Sequence, residues 1–214
     1  MAKIARLAKG LGADHAGLVL FDALRGYLHP SDPGKSKFLD EHRILPNLQR
    51  LLQGARTAGI TTFYPAGAHA PDGSDFVERL TDTDMDLTAG AADKPIKPRF
   101  HREDPEAEIA AELAPATGDV VVRKQRWSAF FETNLELQLR ARGIDTIILA
   151  GGSTDVGIAA TAFAARDRDY GLVIVRDACF SMRGNNHDFF MDRVFPRMAR
   201  IRTVDETLAL MKLR

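Results

Sequence analysis

Six short runs of β-branched and apolar residues, separated by longer amphipathic stretches, constrain this chain more than any other feature. The runs cover residues 17–21, 60–64, 119–122, 146–150, 172–175 and 200–203, and helical patterns occupy 39–58, 106–113, 135–142, 156–169, 187–195 and 204–213. A strand that is apolar at nearly every position has to be covered on both faces, and strands alternating with helices pair in parallel. The expectation is an α/β fold: a three-layer α/β/α sandwich around a six-stranded, mainly parallel sheet, forming one domain over residues 1–214. Within it, Thr133-x-x-Glu136 reads as a capping box, and Gly143 as a left-handed helix stop. Two irregular stretches stand out. One runs from about residue 65 to 105, rich in Asp, Gly, Ala, Thr and Pro, and suits a lid, an interface arm, a disordered insert or a plain surface excursion. The other, 22–37, directly follows the first strand.

Charge and cysteine content narrow the function classes. With 29 basic and 29 acidic side chains the chain carries a formal net charge of +0, whereas a nucleic-acid binder needs a basic excess. No stretch approaches the roughly 20 apolar residues of a membrane span. The basic N-terminus (Lys3, Arg6, Lys9) is followed by an apolar run too short for a signal peptide, so a cytoplasmic protein is expected. A single cysteine, Cys179, excludes an internal disulfide framework and a Cys-based zinc site, but makes an obvious candidate nucleophile.

Ligands of parallel α/β sheets collect outside the carboxyl ends of the strands. After the first strand stands Asp22, after the third Lys124, and after the fourth the turn Gly151-Gly152-Ser153-Thr154-Asp155-Val156-Gly157, which opens a helix. A helix start offers backbone N–H groups and a positive dipole end, suited to an anion or oxyanion. Taken singly, such an Asp is a common turn residue, such a Lys a common solvated charge, and Gly-Gly a common tight turn. Their joint placement at three strand ends is the signal.

The stretch 120–181 resembles the isochorismatase-like hydrolase (cysteine hydrolase) superfamily, which includes nicotinamidases, N-carbamoylsarcosine amidohydrolases and isochorismatases. The motifs are Lys124-Gln125-Arg126-Trp127-Ser128-Ala129-Phe130, Gly143-Ile144, Gly151-x-x-Thr154-Asp155-Val156, Thr161-Ala162 and Asp177-Ala178-Cys179-x-Ser181, with Asp22 upstream. The resemblance implies six parallel strands in a Rossmann-like topology and a site built from Asp, Lys and Cys. Asp22 matches the general acid or base, and Lys124 the lysine that pairs with it and steadies developing negative charge. The amides of Ser153 and Gly157 match the oxyanion hole, with Gly152–Ser153 as the position of an unusual cis peptide.

The departure lies at Gly157, where thiol-dependent members carry the nucleophilic cysteine. Cys179 falls after the fifth strand and reads as a packed small hydrophobe. Isochorismatases resemble this chain in lacking the thiol; they cleave a vinyl ether with an Asp general acid. Ser153-Thr154-Asp155 instead is similar to the amidase branch. Three outcomes stay open: non-covalent vinyl-ether hydrolysis by Asp22 and Lys124, a C–N hydrolase with a non-thiol mechanism, and a catalytically silent member that binds small molecules or oligomerises.

The six histidines show no metal-binding spacing, and His69 reads as a loop residue without the acidic partner that some amidase members carry nearby; no metal and no cofactor are expected. Gly152, Ser153, Thr154, Trp127 and Arg25 are candidate substrate-binding residues, with Arg25 and Arg126 suited to a carboxylate, although core packing is the favoured reading of Trp127. The expected partners are a small-molecule substrate and further copies of the chain in a homo-oligomer, dimer or tetramer, and neither nucleic acid nor membrane.

Overall fold

The computed structural model describes residues 10–75 and 100–212. The basic N-terminal residues and most of the long irregular stretch lie outside the described residues.

Six strands form one sheet: β1 (Ala16–Phe21), β2 (Thr62–Gly67), β3 (Val120–Lys124), β4 (Thr146–Gly152), β5 (Gly171–Phe180) and β6 (Arg200–Arg202). All five pairings are parallel, in the order β3-β2-β1-β4-β5-β6. The chain steps outward from β1 to β2 and β3, then returns to the other side of β1 for β4. That reversal opens a crevice at the carboxyl ends of β1 and β4.

Period-two alternation sends the strand residues into two cores. Leu18, Leu20, Ile148, Ala150, Val173 and Val175 pack on one face of the sheet. Val19, Phe21, Ile147, Leu149, Leu172 and Ile174 pack on the other. The helices are α1 (Arg25–Leu28), α2 (Pro33–Glu41), α3 (Ile44–Thr57), α4 (Leu135–Ala141), α5 (Ala159–Asp167), α6 (Asn186–Phe189) and α7 (Val204–Lys212). Leu48, Leu51 and Leu52 of α3 cover the first face, and Leu135 and Leu139 of α4 with Ala162 and Ala165 of α5 cover the second.

Several local expectations are corrected. The continuous helix over 39–58 is two helices, divided at Arg43, whose φ of 52° is left-handed. The stretch 106–113 forms two single 3-10 turns, Pro105–Ala107 and Ala111–Leu113, where Ala110 sits extended between them. The 22–37 loop carries α1 and the start of α2. Pro65 belongs to β2, so the irregular stretch begins later than the proline suggested. The capping box is not formed. Thr133 Oγ1 donates back to the Ala129 carbonyl and accepts from the Leu135 amide, while Glu136 is drawn to Arg140 and Arg168. Gly143 does adopt the left-handed conformation, at φ 69°.

Gly151 is the position where β4 can approach β1 this closely. Its φ is 118°, and a Cβ there would lie 2.9 Å from the Phe21 carbonyl carbon and overlap the carbonyl oxygen. Gly118 has a similar φ of 95° but open space around it. Gly151→Ala is therefore expected to cost about 3 kcal/mol or more in urea denaturation. Gly118→Ala, which carries the backbone strain alone, is expected to cost about 1–2 kcal/mol.

Candidate active site

Asp22 is the first residue beyond β1, and its φ of 45° turns the chain sharply so that the carboxyl stays at the sheet edge. A left-handed non-glycine residue is uncommon, and Asp tolerates it better than most. Its amide is held by the Pro65 carbonyl of β2. Lys124 is the last residue of β3, the edge strand, two strands away from β1. Two strand spacings amount to about 9.6 Å, a gap that suits the long lysine stem. The intervening register position on β2 is Gly67, which puts no side chain in the way.

Lys124 Nζ donates to Asp22 Oδ2 at 3.0 Å. Both residues are nearly sealed, Asp22 at 8% and Lys124 at 7% exposure. Among the described residues the other carboxyl oxygen, Oδ1, has no hydrogen-bond partner. Burial pushes the Asp22 carboxyl above its ordinary value. The Lys124 charge and hydrogen bond, and more weakly a hydrogen bond from the Gly67 amide, pull it down without cancelling that effect. The site thus holds a carboxyl group with one oxygen bonded to Lys124 and the other without a partner among the described residues.

On the opposite wall, β4 ends at Gly152 and passes through a cis Gly152–Ser153 peptide into a wide helical turn, Thr154–Ile158, that leads into α5. The turn is pinned on its outer side. Ser153 Oγ donates to the Asp155 carboxylate, Asn186 Nδ2 donates to it at 2.6 Å, and Ser181 adds a third hydrogen bond. Burial alone would raise the Asp155 pKa, but these bonds together hold it below the ordinary carboxylate value. Thr154 Oγ1 is hydrogen-bonded to His187 Nδ1 at 2.9 Å. Gly152 lies against the Phe180 ring, where a Cβ would come within 2.6 Å of Cε1.

Gly157 faces a second ring. Phe21, the last residue of β1 and only 1% exposed, fills the space into which a side chain at 157 would project. A Cβ there would lie 2.5 Å from Cζ and closer still to Cε1. The Lys124 ammonium sits over the same ring, 4.5 Å from its centroid. Sequence reasoning passed over Phe21 as a strand residue; its bulk next to Asp22 and the missing bulk at 157 were both visible, but not that they meet.

Cys179 is a β5 residue paired with Gly151, 2% exposed, its thiol 3.8 Å from the Leu149 carbonyl. Burial drives its pKa far up, the reverse of what a nucleophile needs. Trp127 does not pack in the core: it is 59% exposed in the loop after β3. Arg25 is exposed too. Arg126 reaches the Asp75 carbonyl at 3.4 Å, and Asp75 Oδ1 lies 3.3 Å from His69 Nδ1, so His69 has an acidic neighbour after all. A cavity of about 1140 Å³ lies elsewhere, between α3, α7 and the residues just before β1.

Lys124→Met is expected to lower stability at pH 8 by roughly 3 kcal/mol, because a buried carboxylate loses its partner. Asp22 has a raised folded pKa, so the stability tied to its protonated form is present at low pH and lost as pH rises through that pKa. The deficit against wild type should therefore shrink at pH 4.5 in urea titrations. Cys179 is expected to react with a thiol reagent only on unfolding; rapid labelling of the native protein would contradict its burial.

An isochorismatase domain model matches residues 16–206. The isochorismatase family protein YwoC of Bacillus subtilis is 31% identical over 196 residues, spanning 91% of this chain and 93% of that protein. YecD of Escherichia coli O157:H7, of the same family, is 44% identical over 98 residues, 46% of this chain and 52% of that protein. A maleamate amidohydrolase of Pseudomonas putida is 35% identical over 94 residues, 44% of each chain. The matches with these last two thus span about half of their length or less. Among solved structures, an isochorismatase family protein from Burkholderia thailandensis superimposes with a TM-score of 0.76 at 26% identity, covering 95% of this chain and 98% of that one.

Proposed function

The chain belongs to the isochorismatase family, and from that premise we propose that it is a small-molecule hydrolase whose acid–base work is done by Asp22 and Lys124 without a covalent intermediate. The observation that carries this reading is the buried Asp22–Lys124 pair, 3.0 Å apart, with Asp22 Oδ1 unengaged among the described residues. It stands opposite a turn whose nucleophile position is a glycine.

In its most concrete form the reaction is cleavage of a vinyl ether. Asp22, whose pKa burial raises, gives its proton from Oδ1 to the terminal vinyl carbon, and the positive charge that forms on the neighbouring carbon is shared with the ether oxygen. Water adds to the ether-bearing carbon and loses a proton, and the resulting hemiketal collapses to a ketone and an alcohol. Lys124 steadies the Asp22 carboxylate left by the first step. The Ser153 and Gly157 amides, at the start of the turn before α5, suit an anionic group of the substrate. Gly152 and Thr154 shape the wall between them, and exposed Arg25 and Trp127 belong to the outer approach. A second reading, hydrolysis of a small amide by direct attack of water, draws support from the similarity to a maleamate amidohydrolase.

Both readings place the same demand on Asp22. Against a panel of carboxylate-bearing vinyl ethers and small amides, Asp22→Asn is expected to lower kcat/KM by about 10²-fold or more while the folded spectrum is kept. For the vinyl ether, kcat/KM is expected to fall as pH rises through the raised Asp22 pKa, because the acid form is lost. Unchanged turnover in Asp22→Asn contradicts the assignment. Binding of panel compounds without any turnover would favour a silent member of the family.

A further inference from the structure

We propose that Phe21 is the positioning residue of this site: its ring occupies the place of a nucleophilic side chain, excludes one from position 157, and holds the Lys124 ammonium against its face. The proposal deepens the reading of a non-covalent site, on which it rests for its link to turnover.

Three observations support it. Phe21 and Gly157 fit each other as ring to bare backbone, since a Cβ at 157 would come 2.5 Å from Cζ and 3.1 Å from Cδ1 and would meet Cε1 closer still. The ring cannot swing aside cheaply, because Phe21 is fully enclosed within the core that also holds Val19, Phe63, Leu149 and Ile158. The ring is also shared: Lys124 Nζ lies 4.5 Å from its centroid while reaching Asp22 Oδ2 at 3.0 Å. A cation over an aromatic face is attracted by the ring quadrupole, most strongly where water is excluded. One side chain therefore fixes the ammonium from below and closes the neighbouring nucleophile position. Restoring a cysteine at 157 does not by itself rebuild a thiol site in this chain, because the sulfur and the ring compete for one volume.

A double-mutant cycle tests this. Gly157→Cys and Phe21→Val are made singly and together in the full chain, and followed by thermal unfolding and by iodoacetamide labelling read by peptide mass spectrometry. Gly157→Cys alone is expected to lower Tm by several degrees. In the Phe21→Val background the same change should cost much less, so that the double variant is more stable than the two single losses predict. The thiol at position 157 should label at least tenfold faster in the double variant, where the ring no longer covers it. Additive losses of Tm, or equal labelling in both backgrounds, overturn the steric part of the proposal. Should Gly157→Cys alone fail to fold, Gly157→Ala in both backgrounds gives the same cycle by Tm.

The hold on Lys124 is tested by Phe21→Leu, which keeps most of the volume and removes the π face. It is expected to lower kcat at least fivefold with little change in Tm and KM, and Phe21→Tyr to restore more of it than Phe21→Leu. Loss of Tm in proportion to activity would reduce Phe21 to a packing residue. Because Tm and labelling do not depend on turnover, failure of the steric proposal is distinguishable from failure of the hydrolase reading.

Discussion

The close approach of the turn after β4 to the end of β1 is the constraint on which the rest of this sheet edge depends. It needs two positions without side chains, Gly151 over the Phe21 backbone and Gly157 over the Phe21 ring, while Gly152 leaves room for the Phe180 ring of β5. With those side chains absent, the turn before α5 closes onto Phe21, the residue next to Asp22, at the point where the strand order reverses. The turn is then pinned from outside by Asp155, which gathers Ser153, Asn186 and Ser181. Inner contact and outer pin together fix the backbone at the candidate anion site.

Burial sets the electrostatics of the pair at the centre. A carboxylate and an ammonium 3.0 Å apart attract strongly in a low-dielectric interior, but each has lost its water. With one carboxyl oxygen lacking a partner among the described residues, the desolvation of Asp22 is only partly offset, and its pKa rises. Cys179 is subject to the same effect with no cation among its causes to oppose it, and its pKa is driven far up. Membership of the isochorismatase family brings the fold and a hydrolase setting, and the proposed chemistry rests on what stands at 21, 22, 124 and 157.

Much of this was legible in the sequence, and the reasons differ by element. Nearly continuous apolar runs announce strands buried on both faces, so the parallel six-stranded sheet could be read directly. The residue after each strand then identified Asp22, Lys124 and the Gly151–Gly157 turn, because strand ends in a parallel sheet fall on one edge. Short-range capping signals did worse. Thr133 bonds back to Ala129, and Glu136 is taken by Arg140 one turn on and by Arg168 across the fold, so other partners displace the capping pattern. The break at Arg43 depends on a left-handed residue that no glycine marked. Trp127 stands exposed although its bulk suggested core, since composition says nothing of where a loop leaves the sheet. The meeting of Phe21 with Gly157 was illegible because it joins two positions 136 residues apart through side-chain direction alone.

The central claim is that burial outweighs pairing at Asp22 and raises its carboxyl above the ordinary aspartate value. A ¹³C NMR titration of the Asp22 carboxyl in the full chain, assigned by its loss in Asp22→Asn, measures this directly. The account predicts a midpoint clearly above the ordinary aspartate value of about 3.9. A midpoint at or below that value would mean that Lys124 holds Asp22 as a carboxylate, and would contradict its role as the proton donor.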